Sequence, residues 1–574
     1  MYTNIKNIQI LISALKVYNI QHVVLSPGGS DIPIVHSIEN DNWFIHYSVV
    51  DERSAVYFAL GLAQELNRPV ACVCTSGTAV SNYLPGITEA FYQDIPLIAI
   101  TADKNPHFQG QIQTQKINQV GIFGECVRSS VELPLCKDEE EIWYCERVIK
   151  EAFMACFQKT HGPVQINVPV VSSYNIYNQK NLPTVRKVNY INCETSQEEW
   201  NKYYNILLQS KRILVFIGQD ITFNQKDITD LEKFFMRYNV VYAIEHHSNI
   251  RCKGCINTYP ITETRIPKDE NLVPDLVISI GNNVVSYGMK PFLRRNREKF
   301  QHIEIDSNGR FRDVFMRLTD LFECTPQTFF HYFANYPGKQ EKGNNMEYYN
   351  TWKNKAECIS LPPLNFTELC VGKYLCDAIP ENSILHTAIL NSSRIIQYFP
   401  LATGVKTFSN TGALGIDGCL STFMGHAAAT DKLCFLLIGD LAFFYDMNAA
   451  GLRSLKNNVR IVLMNNGGGS EFHLFLDKKD VPTMNENICA QHHKTAKGWI
   501  ESLGYEYFAV HNLKDLDTAF ENFSSTSDKP KFIEVFSNLE TDAKFIKDFY
   551  SSFAPKDNII EYTKKVVKKV INKL

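Results

Sequence analysis

Short apolar runs alternate with segments of helical periodicity along most of the chain. In the first 170 residues, SAVYFALGLAQEL spaces its apolar residues three and four apart, as an amphipathic helix does. The apolar runs around it are bounded by turn residues such as Pro27-Gly28-Gly29, and they are HVVLS, WFIHYSVV, PVACVCT, PLIAIT and PVQINVP. Strands that are apolar throughout are typical of parallel sheets covered by helices on both faces. The pattern therefore predicts an α/β domain.

The same alternation recurs twice, after polar stretches at about 175–198 and 339–350. We expect three doubly wound parallel-sheet α/β domains, at 1–178, 195–340 and 350–574. The apolar runs of the second domain are RILVFIG, VVYAIEHH, DLVISIGNN and HIEIDSN. Those of the third are SILHTA, KTFSN, KLCFLLIGD, VRIVLMNN and KFIEVFS.

Composition narrows the class of protein. The 574 residues carry 58 Lys+Arg against 61 Asp+Glu, so no basic excess indicates a nucleic-acid partner. The sequence contains no run of about 18 apolar residues, so it predicts no membrane-spanning helix. The first residues, MYTNIKNIQILISALKVYNI, resemble an amphipathic helix more than a secretory signal. We expect a soluble, cytoplasmic protein. KKVVKKVINKL at the C-terminus predicts a basic amphipathic helix, with a solvated face favoured over membrane or partner docking.

Sixteen cysteines are scattered along the chain, mostly inside apolar runs. This placement favours buried reduced thiols over disulfides. Cys252 and Cys255 form a CxxC motif, but no second ligand pair has the spacing of a zinc site. A metal or redox role for this pair is therefore disfavoured.

Two strand ends in the third domain carry the strongest chemical signal. FLLIGD ends in Asp440, and IVLMNNGGG places Asn466 26 residues further along. Neighbouring parallel strands end at the same sheet edge, where ligands bind. A carboxylate, an amide oxygen and a backbone carbonyl suit Mg²⁺, and the glycines after Asn466 let backbone approach a ligand closely. The alternative is that both dipeptides are ordinary strand-end turns.

Together, at this spacing, the two motifs resemble the diphosphate-binding motif of thiamine diphosphate (ThDP) enzymes. Among ThDP enzymes, the family that longer strings of this chain resemble is the 2-succinyl-5-enolpyruvyl-6-hydroxy-3-cyclohexene-1-carboxylate (SEPHCHC) synthase family. These strings cover most of the first and third domains, and they are DERSAVYFALGLA, CTSGTAVSNYLPGITEA, PLIAITAD, QKINQVGIF, SNTGALGIDG and GDLAFFYDMNAAGL. The middle domain matches only as an α/β pattern.

The resemblance implies ThDP and Mg²⁺ as cofactors, and a homodimer or homotetramer with active sites between subunits. Asp440 and Asn466 would be side-chain Mg²⁺ ligands, with the backbone carbonyl of Gly468 as a third. Glu52, at a strand-to-helix junction, would hydrogen-bond the cofactor's aminopyrimidine and activate it, in an apolar setting that raises its proton affinity. The alternative is that Asp51 and Glu52 merely cap the following helix.

The resemblance implies further cofactor and substrate contacts, for each of which an ordinary structural role is the alternative. Ile416 would be the apolar wedge that bends the cofactor, and Phe472 part of the wall near its thiazolium. Ser392 and the backbone at Gly412 would approach the diphosphate. Gln115 would hydrogen-bond the substrate or the intermediate.

The chain departs from the family where dicarboxylate substrates should bind. Ser30, Thr411 and Ile396 stand where the family has arginines, and losing one buried carboxylate contact costs about 2–5 kcal/mol. We therefore expect an acceptor less anionic than isochorismate. The side chains near it would include Asp31, Glu471 and His473, which could bind hydroxyl groups, and the cations Lys104, Lys290 and Arg394.

The main hypothesis is a decarboxylase and carboligase that transfers the decarboxylated unit of a 2-oxo acid to such an acceptor. The alternative within the family is a genuine SEPHCHC synthase of menaquinone biosynthesis, acting on 2-oxoglutarate and isochorismate with carboxylate contacts rebuilt from the three cations. A simple 2-oxo acid decarboxylase and a non-catalytic ThDP-binding scaffold also remain open.

Overall fold

The structure, a computed structural model, describes residues 1–552 except 67, 93, 158–160, 172–175, 193–194, 196, 220, 265–268, 338–342, 413, 453–454 and 477–480. The predicted basic C-terminal helix lies outside the described residues. The chain divides into two units. The first comprises Met1–Ile191 with Gly309–Leu321, and the second Asn192–Asn308 with Phe322–Leu574.

The first unit is built on a parallel sheet of six strands, in the order β2-β1-β3-β4-β6-β5. The strands are β1 (His22–Ser26), β2 (Ile45–Ser48), β3 (Val70–Cys74), β4 (Leu97–Asp103), β5 (Ser129–Glu132) and β6 (Val164–Pro169). The helices are α1 (Lys6–Val17), α2 (Ile32–Glu39), α3 (Glu52–Leu66), α4 (Thr78–Asn82), α5 (Leu84–Tyr92) and α6 (Glu139–Phe157).

Two cores cover the two faces of this sheet. One is formed with α1, α2 and α6, and the other with α3, α4 and α5. The central strands β3 and β4 are buried at every residue, which explains the apolar runs VACVC and LIAI within them. The predicted doubly wound sheet is confirmed here.

The second unit contains two further sheets. In one of them five parallel strands run in the order β10-β9-β8-β11-β12. They are β8 (Ile213–Ile217), β9 (Val240–Ile244), β10 (Cys255–Asn257), β11 (Leu276–Ile280) and β12 (Gln301–Ile305), while β7 (Asn189–Asn192) and β13 (Leu318–Glu323) straddle the limits of the units. The helices are α7 (Gln197–Gln209), α8 (Gln225–Arg237), α9 (Tyr259–Glu263), α10 (Met289–Arg295), α11 (Pro326–Ala334) and α12 (Glu347–Glu357).

The last sheet has six parallel strands in the order β15-β14-β16-β17-β19-β18. They are β14 (Ile384–Thr387), β15 (Lys406–Phe408), β16 (Cys434–Gly439), β17 (Val459–Asn465), β18 (Glu506–Val510) and β19 (Lys531–Phe536). The helices are α13 (Glu368–Ala378), α14 (Asn391–Ile395), α15 (Cys419–Ala428), α16 (Asp440–Tyr445), α17 (Phe472–Phe475), α18 (Lys497–Ser502), α19 (Leu513–Glu521) and α20 (Leu539–Ser552).

Several strands were not predicted from the sequence. β5, β10 and β18 lie at the edges of their sheets and mix polar with apolar residues, because an edge strand is less buried. β7 lies inside the stretch predicted as a linker, and its Ile191 is buried. α12 crosses residue 350, the predicted start of the third domain, and the three predicted domain limits stay predictions. In the described part of the chain, no helix is both long and apolar enough to cross a membrane.

The turn after β8 generates a stability prediction. A Cβ atom on Gly218 would lie 1.8 Å from the backbone oxygen of Asn282, which cannot move without shifting the turn. Gly218→Ala should lower the free energy of unfolding by about 1–3 kcal/mol, as overpacking does. Gly498→Ala in α18, where nothing lies within 4 Å, is the matched control and should be neutral or stabilising. Thermal melting of both variants checks this, and equal melting temperatures would contradict it.

Candidate active site

Asp440 and the glycine loop after β17 form the centre of the site in the second unit. Because β16 and β17 pair in parallel, with Gly439 opposite Met464, Asp440 and Asn466 follow neighbouring strand ends. Asp440 Oδ2 accepts hydrogen bonds from the backbone N–H groups of Gly467 at 2.8 Å and Gly468 at 2.9 Å. The structure therefore brings the two predicted metal ligands together at one short loop.

The glycine loop needs glycine for a steric reason. Gly468 has φ +151°, and a Cβ there would lie 2.6 Å from the backbone oxygen of Cys489. The loop thus offers bare backbone beside a carboxylate and the amide oxygen of Asn466. This all-oxygen donor set next to a side-chain-free cradle fits Mg²⁺ and a diphosphate group.

Behind this loop, Asn466 is held by a buried acidic cluster. Its amide nitrogen donates to Glu368 Oε1, which also accepts from Ser470 Oγ at 3.2 Å. Glu368 Oε2 accepts from the side-chain nitrogen of Asn391 at 3.1 Å, and the Glu368 backbone N–H donates to Asp542 Oδ1 at 3.0 Å. Asn391 directly precedes Ser392, so the cluster joins two of the predicted cofactor segments.

Arg394 is already paired within the protein. Its Nη1 donates to Glu471 Oε2 at 2.5 Å, with both side chains largely buried, and its guanidinium lies 4.2 Å from the ring centroid of Tyr287. Two residues on, His473 Nε2 is 2.9 Å from Asn485 Oδ1. Glu471 and His473, predicted to contact an acceptor, thus have protein partners.

Thr411 and Lys290 are linked through a small polar network. Thr411 accepts from Gln219 Nε2 at its hydroxyl (2.7 Å) and from Asn283 Nδ2 at its backbone carbonyl (3.1 Å). Lys290 Nζ donates to Asn283 Oδ1 at 2.6 Å. Thr411, where the resemblance implies an arginine, is therefore two hydrogen bonds away from a lysine.

The remaining predicted cofactor contacts are accessible. Ile416 and Phe472 are 36% and 39% exposed, which leaves both able to contact a ligand. Gly412 has no atom within 4 Å of a Cβ position. Ser392, in contrast, is buried near the start of α14.

In the first unit, Glu52 is the first residue of α3 and its carboxylate accepts from Asn82 Nδ2 at 3.3 Å. The helix cap is formed by its neighbour instead, because Asp51 Oδ1 accepts the backbone N–H of Ser54 at 3.0 Å. The alternative that Glu52 serves to cap the helix is therefore not supported by its contacts.

Ser30 and Asp31 lie on a loop packed against the turn after β3. Ser30 Oγ is 2.8 Å from Ser76 Oγ, and Asp31 Oδ1 accepts the backbone N–H of Gly28 at 2.9 Å. Asp31 is completely buried, and this burial raises its pKa to about 7. Asp31 thus belongs to the protein interior.

Gln115 and Lys104 lie on a long loop of the same unit. Gln115 has φ +54°, and its Cβ lies 3.4 Å from the Cβ position of Gly77 in the turn that contacts Ser30. Lys104 Nζ donates to the backbone carbonyl of Thr114. The structure thus brings Ser30, Asp31 and Gln115 around one turn.

The charged side chains of the site differ in their pKa shifts and in the charge of their hydrogen-bond partners. Burial lowers the pKa of Lys290 and raises that of Glu368, whose pKa the neighbouring Asp542 raises further. The bonded partners of Lys104 and Lys290 are neutral oxygens, whereas Arg394 is paired with a carboxylate.

Sequence reasoning did not single out Glu368, Asn391, Ser470 or Asp542. Glu368 precedes Asn466 by 98 residues, and no local pattern links the two. The CxxC cysteines have their sulfur atoms 3.4 Å apart. Within the described residues, no group of three or more His, Cys, Asp or Glu side chains is arranged to hold a metal ion.

Comparison with known proteins supplies the family. A family profile described as "Thiamine pyrophosphate enzyme, N-terminal TPP binding domain" matches residues 6–122. A 2-succinyl-5-enolpyruvyl-6-hydroxy-3-cyclohexene-1-carboxylate synthase from Bacteroides thetaiotaomicron is 34% identical, covering 97% of this chain and 100% of its own. Proteins of the same name from Phocaeicola vulgatus (35%; 97% and 100%) and Flavobacterium psychrophilum (31%; 96% and 100%) are also similar.

A solved structure, the thiamine diphosphate-dependent 4-hydroxybenzoylformate decarboxylase of Rhodococcus jostii RHA1, aligns with 93% of this chain and 99% of its own. At 16% identity and a TM-score of 0.41, that likeness carries no weight beside the sequence relationship. The full-length identities, the profile and the three parallel sheets agree with one another. The chain is a thiamine diphosphate- and Mg²⁺-dependent enzyme and belongs to the SEPHCHC synthase family.

Proposed function

We propose that the protein is a SEPHCHC synthase, which was the alternative rather than the main hypothesis from the sequence. The observation that carries this proposal is the 34–35% identity over 97% of the chain and the whole length of two relatives with that name. Such a relationship favours the named reaction over one with a different acceptor.

The product's name constrains the substrates. Its succinyl group is the four-carbon unit that remains when 2-oxoglutarate loses CO₂. The hydroxylated ring with its enolpyruvyl and carboxylate groups corresponds to isochorismate, to which that unit adds at a ring carbon. One CO₂ is released for each carbon–carbon bond formed, and no oxidant or reductant is needed.

We assign the cofactor to the Asp440 loop. ThDP supplies the electron sink for decarboxylation when bound. The oxygens of Asp440 and Asn466, with the Gly468 carbonyl, would hold Mg²⁺ against the diphosphate. The accessible side chains of Ile416 and Phe472 would give the cofactor an apolar surface and exclude water from it.

Nearer the diphosphate, Ser392 and the backbone of Gly412 are the assigned contacts. For Glu52 we propose proton exchange with the aminopyrimidine. Its carboxylate is available for this because Asp51 forms the helix cap. Gln115 is assigned to the substrate.

The charges of the site bear on the acceptor. Lys104 and Lys290 donate to neutral oxygens, which supports their use in binding substrate carboxylates. Asp31 is buried, and Glu471 and His473 have protein partners, so these three offer little to an acceptor rich in hydroxyl groups. The missing arginines at Ser30, Thr411 and Ile396 remain the observation that favours an altered acceptor.

A turnover assay tests the proposal. We expect purified protein with ThDP and Mg²⁺ to release CO₂ from 2-oxoglutarate far faster when isochorismate is present, and to form a product that retains the isochorismate ring. Pyruvate in place of 2-oxoglutarate is the control donor. CO₂ release that ignores isochorismate would contradict the proposal and favour an altered acceptor. Aldehyde equal to CO₂ in the presence of isochorismate would favour a simple decarboxylase.

Glu52→Gln tests the role of the carboxylate. Removing a positioned acid–base group should cost about 10²–10⁴-fold in turnover while cofactor binding persists. Asp51→Asn is the matched control, since it changes the adjacent acid that caps α3 and should affect stability by about 0.5–2 kcal/mol but not chemistry. Equal turnover losses in both variants would indicate a structural role for Glu52, and no loss in Glu52→Gln would contradict the acid–base role. A wild-type protein that binds ThDP without any turnover would instead favour a non-catalytic scaffold.

We further propose that the protein is a homo-oligomer with active sites between subunits. Support comes from apolar residues exposed on α3, which begins at Glu52, and on α5, which packs against it. Tyr57 and Phe58 of α3 are each 43% exposed, and Tyr92 at the end of α5 is 79% exposed. Apolar side chains clustered on packed helices are typical of a surface covered by a partner.

Mixing two inactive variants tests this arrangement. If Glu52 and Asp440 of different subunits meet, Glu52→Gln and Asp440→Ala chains should form hybrids that contain one intact site. Random pairing in a dimer would restore about a quarter of the wild-type activity. Glu52→Gln mixed with the double variant is the control and should stay inactive. No recovery after co-expression would indicate sites within one chain.

A further inference from the structure

Glu368 is placed to decide which atom of Asn466 faces the cofactor site. The Asn466 amide nitrogen donates to Glu368 Oε1. Both oxygens of Glu368 act as acceptors here, because Oε1 also accepts from Ser470 Oγ and Oε2 accepts from Asn391 Nδ2. The nitrogen end of the amide is thereby held on the side away from the glycine loop.

The other end of the amide faces that loop. Asn466 Oδ1 accepts the backbone N–H of Gly468 at 3.3 Å, beside Asp440. The two ends of an asparagine amide have nearly the same shape, so only hydrogen-bond partners fix which end points into a site. With the nitrogen turned inward, Asn466 would present two donors to a cation and repel it.

The same carboxylate also reaches the segment of Ser392. Its second oxygen accepts from Asn391 Nδ2 at 3.1 Å, and Asn391 Nδ2 also donates to Ser470 Oγ at 3.0 Å. A single buried side chain therefore links the start of α14 to both ends of the glycine loop, Asn466 and Ser470.

We propose that Glu368 is a positioning residue for the cofactor site. It holds Asn466 with Oδ1 toward the cation, and it holds the glycine loop next to the Ser392 segment. This rests on the cofactor site proposed above. Groups that orient metal ligands typically contribute about 10- to 100-fold to metal affinity.

Mn²⁺ binding to the full chain with ThDP, followed by electron paramagnetic resonance, tests the proposal without relying on turnover. Glu368→Gln should weaken Mn²⁺ binding by about 10- to 100-fold. Glu368→Asp, which keeps a carboxyl group but withdraws the oxygen from Asn466, should weaken Mn²⁺ binding too and serves if the first variant does not fold. Glu245→Gln, at another buried glutamate of the second unit that accepts backbone N–H groups, is the matched control and should bind normally.

An Asn466→Asp background separates positioning from general damage. The carboxyl group introduced by this substitution has oxygens at both ends and needs no orientation, and the adjacent carboxyl group of Glu368 would disfavour its ionisation. Adding Glu368→Gln there should strengthen Mn²⁺ binding, the opposite of its effect beside Asn466. The same direction in both backgrounds, or unchanged affinity beside Asn466, would overturn the proposal. Failure of the wild-type protein to bind Mn²⁺ with ThDP would instead overturn the cofactor site itself.

Discussion

Two backbone N–H groups that donate to one oxygen of Asp440 fix the geometry on which the site depends. They bring the end of β17 against the end of β16 and hold the glycine loop in a conformation that residues with a Cβ rarely adopt. This contact also determines the positions of the residues that flank the loop, which are Asn466 before it and Ser470, Glu471 and Phe472 after it. Once the parallel register of β16 and β17 is set, the glycine loop has little conformational freedom.

The sequence was most informative where burial is complete. Strands such as β3, β4 and β16 are mainly apolar because both faces are covered, and each was predicted. β5, whose sequence is SSVE, was missed because edge strands tolerate polar residues, so it resembles a loop. β18 was missed although its sequence, EYFAV, is rich in strand-forming residues. The strand ends at Asp440 and Asn466 could be placed on one sheet edge from their apolar strands alone.

Long-range partners were beyond the reach of sequence patterns. Glu368 opens a helix in FTEL, a context that indicates a helix start and nothing about a ligand 98 residues away. Likewise, the sequence showed Arg394 and Glu471 as separate charges, and only the fold reveals that they pair. Reading both as free groups near an acceptor overstated what they could offer to a substrate.

Because Arg394 is paired with Glu471, an anion that bound this arginine would have to replace the carboxylate. A ligand that takes the guanidinium must leave Glu471 with another donor, because an unpaired buried charge costs about 3–5 kcal/mol. A small solvent anion brings no such donor, so it gains nothing by entering. A ligand that carried a carboxylate together with a nearby donor would satisfy both partners at once. The buried ion pair thus sets an energetic threshold for any ligand that would bind at Arg394.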